Sequence, residues 1–440
     1  MKKSKKLASL AIALCAIVSA CSNSDELSFP GTNETVNYKL EWAVQQADLA
    51  TNMFESHSRA ASKHANISGV KAVVSQKSRG VSDTLIFVVN YPDDKGFALI
   101  SAVDPVNPLL AYIPDGHYDP EIGTDNPGFN IFMDAAVEAS AEASANITGP
   151  LKPDSTKNDP HAVWIVDGKY RTTRTTTLAN DILNPKLGTD FRWSQGGIYG
   201  DYCSNKTAGC APLAVASAMT CLLAEDNKTI LYRFNFDEEN AELIGVYWPD
   251  IFAHKYSIGY YDFDCHASNP ESVHRFIGKL CRQIGYEGNA TYNTNPNRTS
   301  MSIANIEKVL KKYLNGYNVS SHTNYTADIP YTKLKNGILL MYGNTDSEGA
   351  HEWICDGYKY TQTRTDVMES PIYPQGTNPQ YNWTVISSTY NNIYYGYMHW
   401  GWGGQCDGWF NGTVFYYQSD KQPYKNLKYC AVTRKFVLNI

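Results

Sequence analysis

The stretch GCAPLAVASAMTCLLAED, residues 209–226, constrains this chain more than any other. Ala211, Leu213, Ala214, Val215, Ala216, Ala218, Met219, Leu222 and Leu223 leave it no polar face, and a helix that is apolar all round has to sit at the centre of a fold. Gly209 permits a tight turn into the helix, and Pro212 is tolerated in the first turn, where the early N–H groups have no internal partner. Cys210 therefore opens a rigid, buried helix. Two readings of it stand: a packing residue, as free cysteine often is, or a nucleophile whose thiolate the helix N-terminus favours. Cys221 in mid-helix, Cys203 and Cys281 have only the packing reading.

The remainder of the chain is large enough to bury such a helix. With 440 residues, 43% of them hydrophobic, its length predicts two or three domains. The net charge of -6, with no basic block beyond Lys2, Lys3, Lys5 and Lys6, excludes nucleic acid as a partner. Those lysines precede the apolar run LASLAIALCAIV, which reads as a signal peptide over residues 1–20 with a linker over 21–36. Val18-Ser19-Ala20-Cys21 resembles a lipoprotein box, with valine in place of the usual leucine, and implies a lipid anchor at Cys21. Asp25 and Glu26 resemble the surface-export signal of some bacterial lipoproteins. The expected location is extracytoplasmic, as an outer-membrane or cell-surface lipoprotein or as a secreted protein. Beyond the leader, eight cysteines lie between residues 203 and 430 without a C-x-x-C pair, which fits neither a zinc ribbon nor a disulfide-stapled miniprotein. Residues 22–202 hold none, the first sign that two different units are joined.

The first unit, residues 37–148, reads as a small α+β domain. Leu40, Ala43, Val44, Ala47, Ala50 and Phe54 recur at helical spacing, TLIFVVNY, GFALISAV and PLLAYIP read as strands, and FNIFMDAAVEASAEAS returns to a helical pattern. Residues 149–187, rich in Pro, Lys, Arg and Thr, read as an exposed connector open to cleavage. The second unit, 188–440, places helical patterns first and alternating, aromatic-rich runs such as NGILLMYGN, HEWICDGYKY and KYCAVTRKFVLNI afterwards, which predicts an α+β fold.

His351, in EGAHEWICDGY, follows two small residues at the start of a strand-like run. A helix-borne cysteine with a strand-borne histidine about 140 residues later has the papain-like order. Gln195, in RWSQGG, is a candidate oxyanion donor beside the Cys210 N–H; its bland alternative is a polar loop residue. MHWGWGGQCDGWF, residues 398–410, can be a glycine-rich turn with core aromatics or a wall that keeps water from the histidine. His254, His266 and His274 lack the companion Cys or carboxylate spacing of a metal site.

Taken together, Trp193 and Gln195, Gly209-Cys210, His351 with Asp356-Gly357-Tyr358, and Trp400 to Gly404 with Asp407-Gly408-Trp409 resemble the streptopain family of papain-like cysteine peptidases. The resemblance implies a catalytic domain with a central nucleophile helix and an antiparallel sheet, preceded by an α+β propeptide. It implies an endopeptidase made as a zymogen, with Cys210 and His351 catalytic, Gln195 in the oxyanion hole and Trp400 shielding the pair. Protein or peptide substrates and the chain's own propeptide as intramolecular inhibitor are the partners; no cofactor and no metal are implied.

The chain departs from the pattern twice. Where the family has an asparagine that orients the catalytic imidazole, this chain has His399, and TQTRTDVMESPIYPQGTNPQYNW is an insertion. A neutral His399 can hold the His351 tautomer, which predicts that the acid limb of activity reports His399. Cys210, His351 and His399 also make a candidate inhibitory zinc site. A surface binding protein on a decayed peptidase scaffold, favoured by His399 alone, and an amidase or acyltransferase of the same thiol chemistry are the competing readings.

Overall fold

The computed structural model describes residues 33–60, 63–76, 82–104, 107–146, 164–166, 169–236, 242–254, 270–294, 297–345, 349–371, 383–415 and 427–435. The expected leader, Cys21 and His266 lie outside them. The chain divides into two compact units, Met1–Thr148 and Gly149–Ile440.

In the first unit, helix α1 (Asn33–Phe54) and the short α2 (His57–Ala60) precede strands β1 (Val70–Gln76), β2 (Ser82–Asn90), β3 (Phe97–Ser101) and β4 (Leu109–Ile113), followed by helix α3 (Pro127–Asn146). The strands form an antiparallel meander in chain order. β1 escapes a reading based on apolar alternation because Lys71, Ser75 and Gln76 interrupt it. Ala43, Ala47 and Ala50 bury the face of α1 that packs on the sheet, where small side chains allow close approach. Lys63 is buried with Glu55, its Nζ 2.8 Å from Oε1, and the carbonyl of Pro114 accepts a second bond from it. Burying that ammonium is tolerated only because both partners are in place.

The second unit begins with β5 (Trp164–Val166) and β6 (Lys169–Leu183). It continues through α4 (Cys210–Glu225), the hairpin β7 (Thr229–Phe234) and β8 (Glu242–Tyr247), α5 (Trp248–Phe252) and α6 (Pro270–Glu287). The hairpin β9 (Thr291–Thr294) and β10 (Asn297–Ser300), α7 (Ile303–Tyr313), β11 (Tyr317–Val319), β12 (Thr323–Asn324) and α8 (Ile329–Lys333) follow. The sheet strands β13 (Gly337–Thr345), β14 (Gly349–Pro371), β15 (Thr384–His399), β16 (Gly408–Asn411) and β17 (Lys428–Arg434) close it, with α9 (Gly412–Phe415) after β16. The sheet runs β16-β15-β14-β13-β17-β11, with antiparallel neighbours throughout.

Helix α4 occupies the centre, as its composition demands. Every residue from Ala211 to Leu223 is buried, and α5, α6 and α7 pack on it on one side with β13 and β14 on the other. Its two hydroxyls do not break the core, because Ser217 and Thr220 donate back to the carbonyls of Leu213 and Ala216. On α6, Val273, Phe276, Ile277, Leu280, Cys281 and Ile284 form the apolar stripe that faces α4.

The stretch expected to be an exposed connector is different from residue 169 on. Lys169–Leu183 is a strand paired antiparallel with β14 from Tyr358↔Leu183 to Pro371↔Lys169. Lys169 and Arg171 pair with Glu369 at 2.6 and 3.2 Å, and Arg174 with Asp366 at 3.2 Å. A threonine-rich strand with few apolar residues on either face carries no alternation signal. Its pairing comes from main-chain bonds to the inserted hairpin β14–β15, a partner far away in the sequence.

Candidate active site

Cys210 is the first residue of α4 and is half-buried. Gly209 caps it with φ +90°, and a Cβ there would lie 2.6 Å from Cβ of Thr299, so both conformation and space call for glycine. Burial pushes the Cys210 thiol up to about 11, and the nearby Glu352 carboxylate pushes the same way. The backbone N–H groups of Glu352, Ala211 and Cys210 itself act in the opposite sense. The Glu352 N–H places the sulfur against β14, one residue from His351.

His351 is buried on β14, opposite Gly343 of β13. Its Nε2 lies 3.0 Å from the carbonyl oxygen of Trp400. A carbonyl only accepts, so the neutral ring carries its proton on Nε2 and leaves the Nδ1 lone pair free to act as a base. Burial pulls this imidazole down to about 4, against the Trp400 carbonyl. Among the described residues no hydrogen bond joins it to Cys210. Both shifts run toward the uncharged forms of thiol and imidazole.

Gln195 lies in a segment held on two sides. Its carbonyl accepts from Ala208 N–H at 2.8 Å, two residues before Cys210, while Ser194 bridges to Trp402 and Gly403 N–H donates to the Trp193 carbonyl. The Gln195 amide has no hydrogen-bond partner among the described residues. The glycine-rich loop after β15 needs its glycines: Gly401, Gly403 and Gly404 have φ of +72°, +68° and +82°. A Cβ on Gly401 would meet Leu213 of α4 at 2.9 Å.

Two expectations are corrected here. His399 does not reach the His351 ring. Its Nε2 faces Asp356 Oδ1 at 3.1 Å and its Nδ1 faces Asp407 Oδ2 at 3.2 Å, and all three side chains are buried. Burial alone would lower this imidazole, but the Asp356 and Asp407 carboxylates outweigh it and raise it to about 9. A raised value runs opposite to the acid limb expected of a neutral His399, and with both nitrogens facing carboxylates His399 offers no lone pair to a zinc ion alongside Cys210 and His351. Trp400 is the second correction. Its indole bonds to the Cys406 carbonyl and packs on Trp353, Phe410 and Phe415, as a core residue. The aromatic rings beside His351 are Trp353, stacked at 5.9 Å, and Trp402, edge-on at 6.2 Å.

Asp356, Asp407 and Glu352 are buried polar residues of this region whose partners the sequence does not reveal. Asp356 sits where the β14–β15 register slips between Cys355 and Gly357, a bulge that turns its side chain into the interior. The sequence signal was there in the DGY and CDG motifs, without a stated partner. Glu352 is buried, 3.2 Å from His322, which in turn bonds Glu307 at 2.9 Å. Of the three histidines weighed for metal, His254 and His274 stack edge-on at 5.3 Å, and the described residues hold no group of three metal-binding side chains.

The thiol of Cys210 thus heads a buried central helix and lies against β14, the sheet strand that bears His351. Residues 193–410 match the Peptidase C10 family and residues 42–139 match the Spi protease inhibitor. The chain belongs to the C10 family of cysteine peptidases, with a Spi-type propeptide unit in front of the peptidase unit. It is similar to a cysteine-to-alanine mutant fragment of Prevotella intermedia prointerpain A, at 17% identity and TM-score 0.47, over 79% of this chain and 94% of that one. It is also similar to active wild-type Prevotella intermedia interpain A cysteine protease, at 14% identity and TM-score 0.33, over 57% of this chain and 94% of that one. No curated protein matches the chain.

Proposed function

We propose that the chain is an extracytoplasmic cysteine endopeptidase made as a latent zymogen, with Cys210 as nucleophile and His351 as general base and acid. The observation that carries this reading is the Nε2 anchor of His351 on the Trp400 carbonyl, which leaves Nδ1 as the basic nitrogen. In the reaction Nδ1 takes the Cys210 proton and the sulfur adds to the scissile carbonyl carbon. The Gln195 amide and the Cys210 N–H stabilise the oxyanion. The C–N bond then breaks as Nδ1–H protonates the leaving amine, giving a thioester. Water, deprotonated by Nδ1, attacks the thioester and the C–S bond breaks, returning the thiol. His399, the feature that favoured a decayed scaffold, is bound by two carboxylates next to this machinery instead of standing in a ruined site. An amidase or acyltransferase would use the same steps, so profiling on peptide libraries is the measurement that separates them.

The raised thiol and lowered imidazole fit a latent resting state. Iodoacetamide alkylation of Cys210 in the intact chain is expected to be slow at pH 7 and to rise only as pH approaches about 11. After removal of the Spi-type unit the same profile is expected to move below pH 7, as an ion pair with His351 forms. An intact chain alkylated as fast as the processed one at pH 7 counts against latency.

Strand β6 supports a second expectation. Its pairing and ion pairs hold it to β14, so the activating cut falls before Lys169 and the mature enzyme keeps residues 169–183. Intact-mass analysis of the processed enzyme tests this, and a mature N-terminus beyond Leu183 contradicts it. The lipid anchor at Cys21 is tested separately, by palmitate labelling that Cys21→Ala abolishes.

A further inference from the structure

The chain's departure from the family pattern at His399 raises a question that the neighbouring atoms answer. Two carboxylate oxygens, Asp356 Oδ1 and Asp407 Oδ2, face its two ring nitrogens at 3.1 and 3.2 Å. Carboxylates accept, so both contacts are hydrogen bonds only if both nitrogens carry protons. A neutral ring would turn a lone pair onto a buried carboxylate, which desolvation makes costly.

The remaining oxygens of the two carboxylates hold the backbone. Asp407 Oδ1 accepts from the Trp400 N–H at 2.9 Å, and Asp356 Oδ2 accepts from the Leu187 N–H at 2.7 Å. The same Trp400 residue presents the carbonyl that holds Nε2 of His351. A continuous chain thus runs from Asp356 through His399, Asp407 and the Trp400 backbone to the His351 ring. No link in it depends on a side-chain contact between the two histidines.

We propose that His399 is a positioning residue: as a buried imidazolium clamped by Asp356 and Asp407, it fixes the Trp400 backbone whose carbonyl sets the orientation and tautomer of His351. This rests on the peptidase reading above for its consequence in catalysis. The Tyr397 ring lies 4.9 Å from the His399 ring, and Asp190 and Arg192, on either side of Phe191, act on Tyr397. The groups in contact with the His399 nitrogens are the two carboxylates. The folded value is raised, so the clamp is complete below the ordinary histidine range and is lost as pH climbs through about 9. Deprotonation there loosens the Trp400 carbonyl and kcat falls on the alkaline side.

The test compares wild type with His399→Gln and His399→Asn, each activated by an added protease and titrated with a thiol-directed epoxide. His399→Gln is expected to lose about 10- to 100-fold in kcat with KM nearly unchanged, whereas His399→Asn, which restores the residue of the family pattern, is expected to lose less. Both are also expected to lose the alkaline limb. Folded variants with wild-type kcat and an unchanged alkaline limb overturn the proposal. A readout free of turnover is the ring N–H resonances of the full-length Cys210→Ala chain. Two protons on His399 at pH 7, and a shift of the His351 Nε2–H when His399→Gln is added, are expected. One proton on His399, or an unmoved His351 signal, overturns the proposal even if the variants fold poorly. Wild type that resists the epoxide would sink the peptidase reading alone, because the resonances still decide whether His399 holds His351.

Discussion

Replacing Cys210 by alanine is expected to lower kcat/KM on a peptide substrate by about four to six orders of magnitude, the scale seen when a covalent nucleophile is removed. The fold should survive, since alanine is a good helix former and the change deletes one half-buried sulfur at the first turn of α4. The two effects therefore separate: thermal unfolding close to wild type, turnover absent. The measurement uses protein whose Spi-type unit has been removed by an added protease, so that failure to self-process is not mistaken for failure of chemistry. Unprocessed Cys210→Ala is expected to keep its first unit indefinitely, whereas wild type sheds it. A loss smaller than about tenfold would exclude Cys210 from covalent catalysis and return it to the packing role.

Gly209→Ala is expected to produce the largest effect on stability. At φ +90° an L side chain is strained by about 1–3 kcal/mol, and overpacking against Thr299 adds about 1–3 kcal/mol. For a unit of this size each kcal/mol lowers Tm by about 2–4 °C, so a fall of about 4 °C or more is expected. Activity should fall further than stability explains, because α4 can relieve the clash only by moving its first residue, the thiol. Thr299→Gly removes the steric part but also the bonds of Thr299 Oγ1 to the Thr207 carbonyl and the Asn205 amide, so the reference is Thr299→Gly alone. Against that reference Gly209→Ala should cost roughly half the Tm it costs in wild type, within the non-additivity expected of touching residues. No cost there would mean that φ at this position is not under strain; an undiminished cost would mean that Thr299 is not the obstacle.

Much of the fold was legible locally. The helix over residues 210–225 follows from a sequence with no polar face, and the amphipathic stripe of α6 from its 3.6-residue period. Strands β2, β3, β4, β13 and the first half of β14 announce themselves as apolar runs bounded by Gly, Pro and Asp. The two parts of the chain differ in cysteine and aromatic content, and the structure divides at Thr148. β6 was not legible, because a polar strand shows its identity only through its partner. The same holds for the clamp on His399: Asp356 faces inward because of a bulge against Met398 and Tyr397, which lie more than forty residues away in sequence.

For the candidate site the division is similar. Residue type, order and local setting singled out Cys210, His351 and Gln195, because nucleophile, base and oxyanion donor are chemical roles that few side chains can fill. Which atom each ring nitrogen faces is decided by register, by one bulge and by the positive-φ glycines that turn the Trp400 loop back onto α4. Those choices set whether an imidazole turns one nitrogen to a main-chain carbonyl, as His351 does, or both to carboxylates, as His399 does. Residue order alone was enough for the apolar helices and strands and for the cast of reactive groups, since periodicity and side-chain chemistry are properties of neighbouring residues, but not for polar strands such as β6. Tertiary structure alone decided charge state and partnership, since those depend on burial and on oxygen atoms brought from remote parts of the chain.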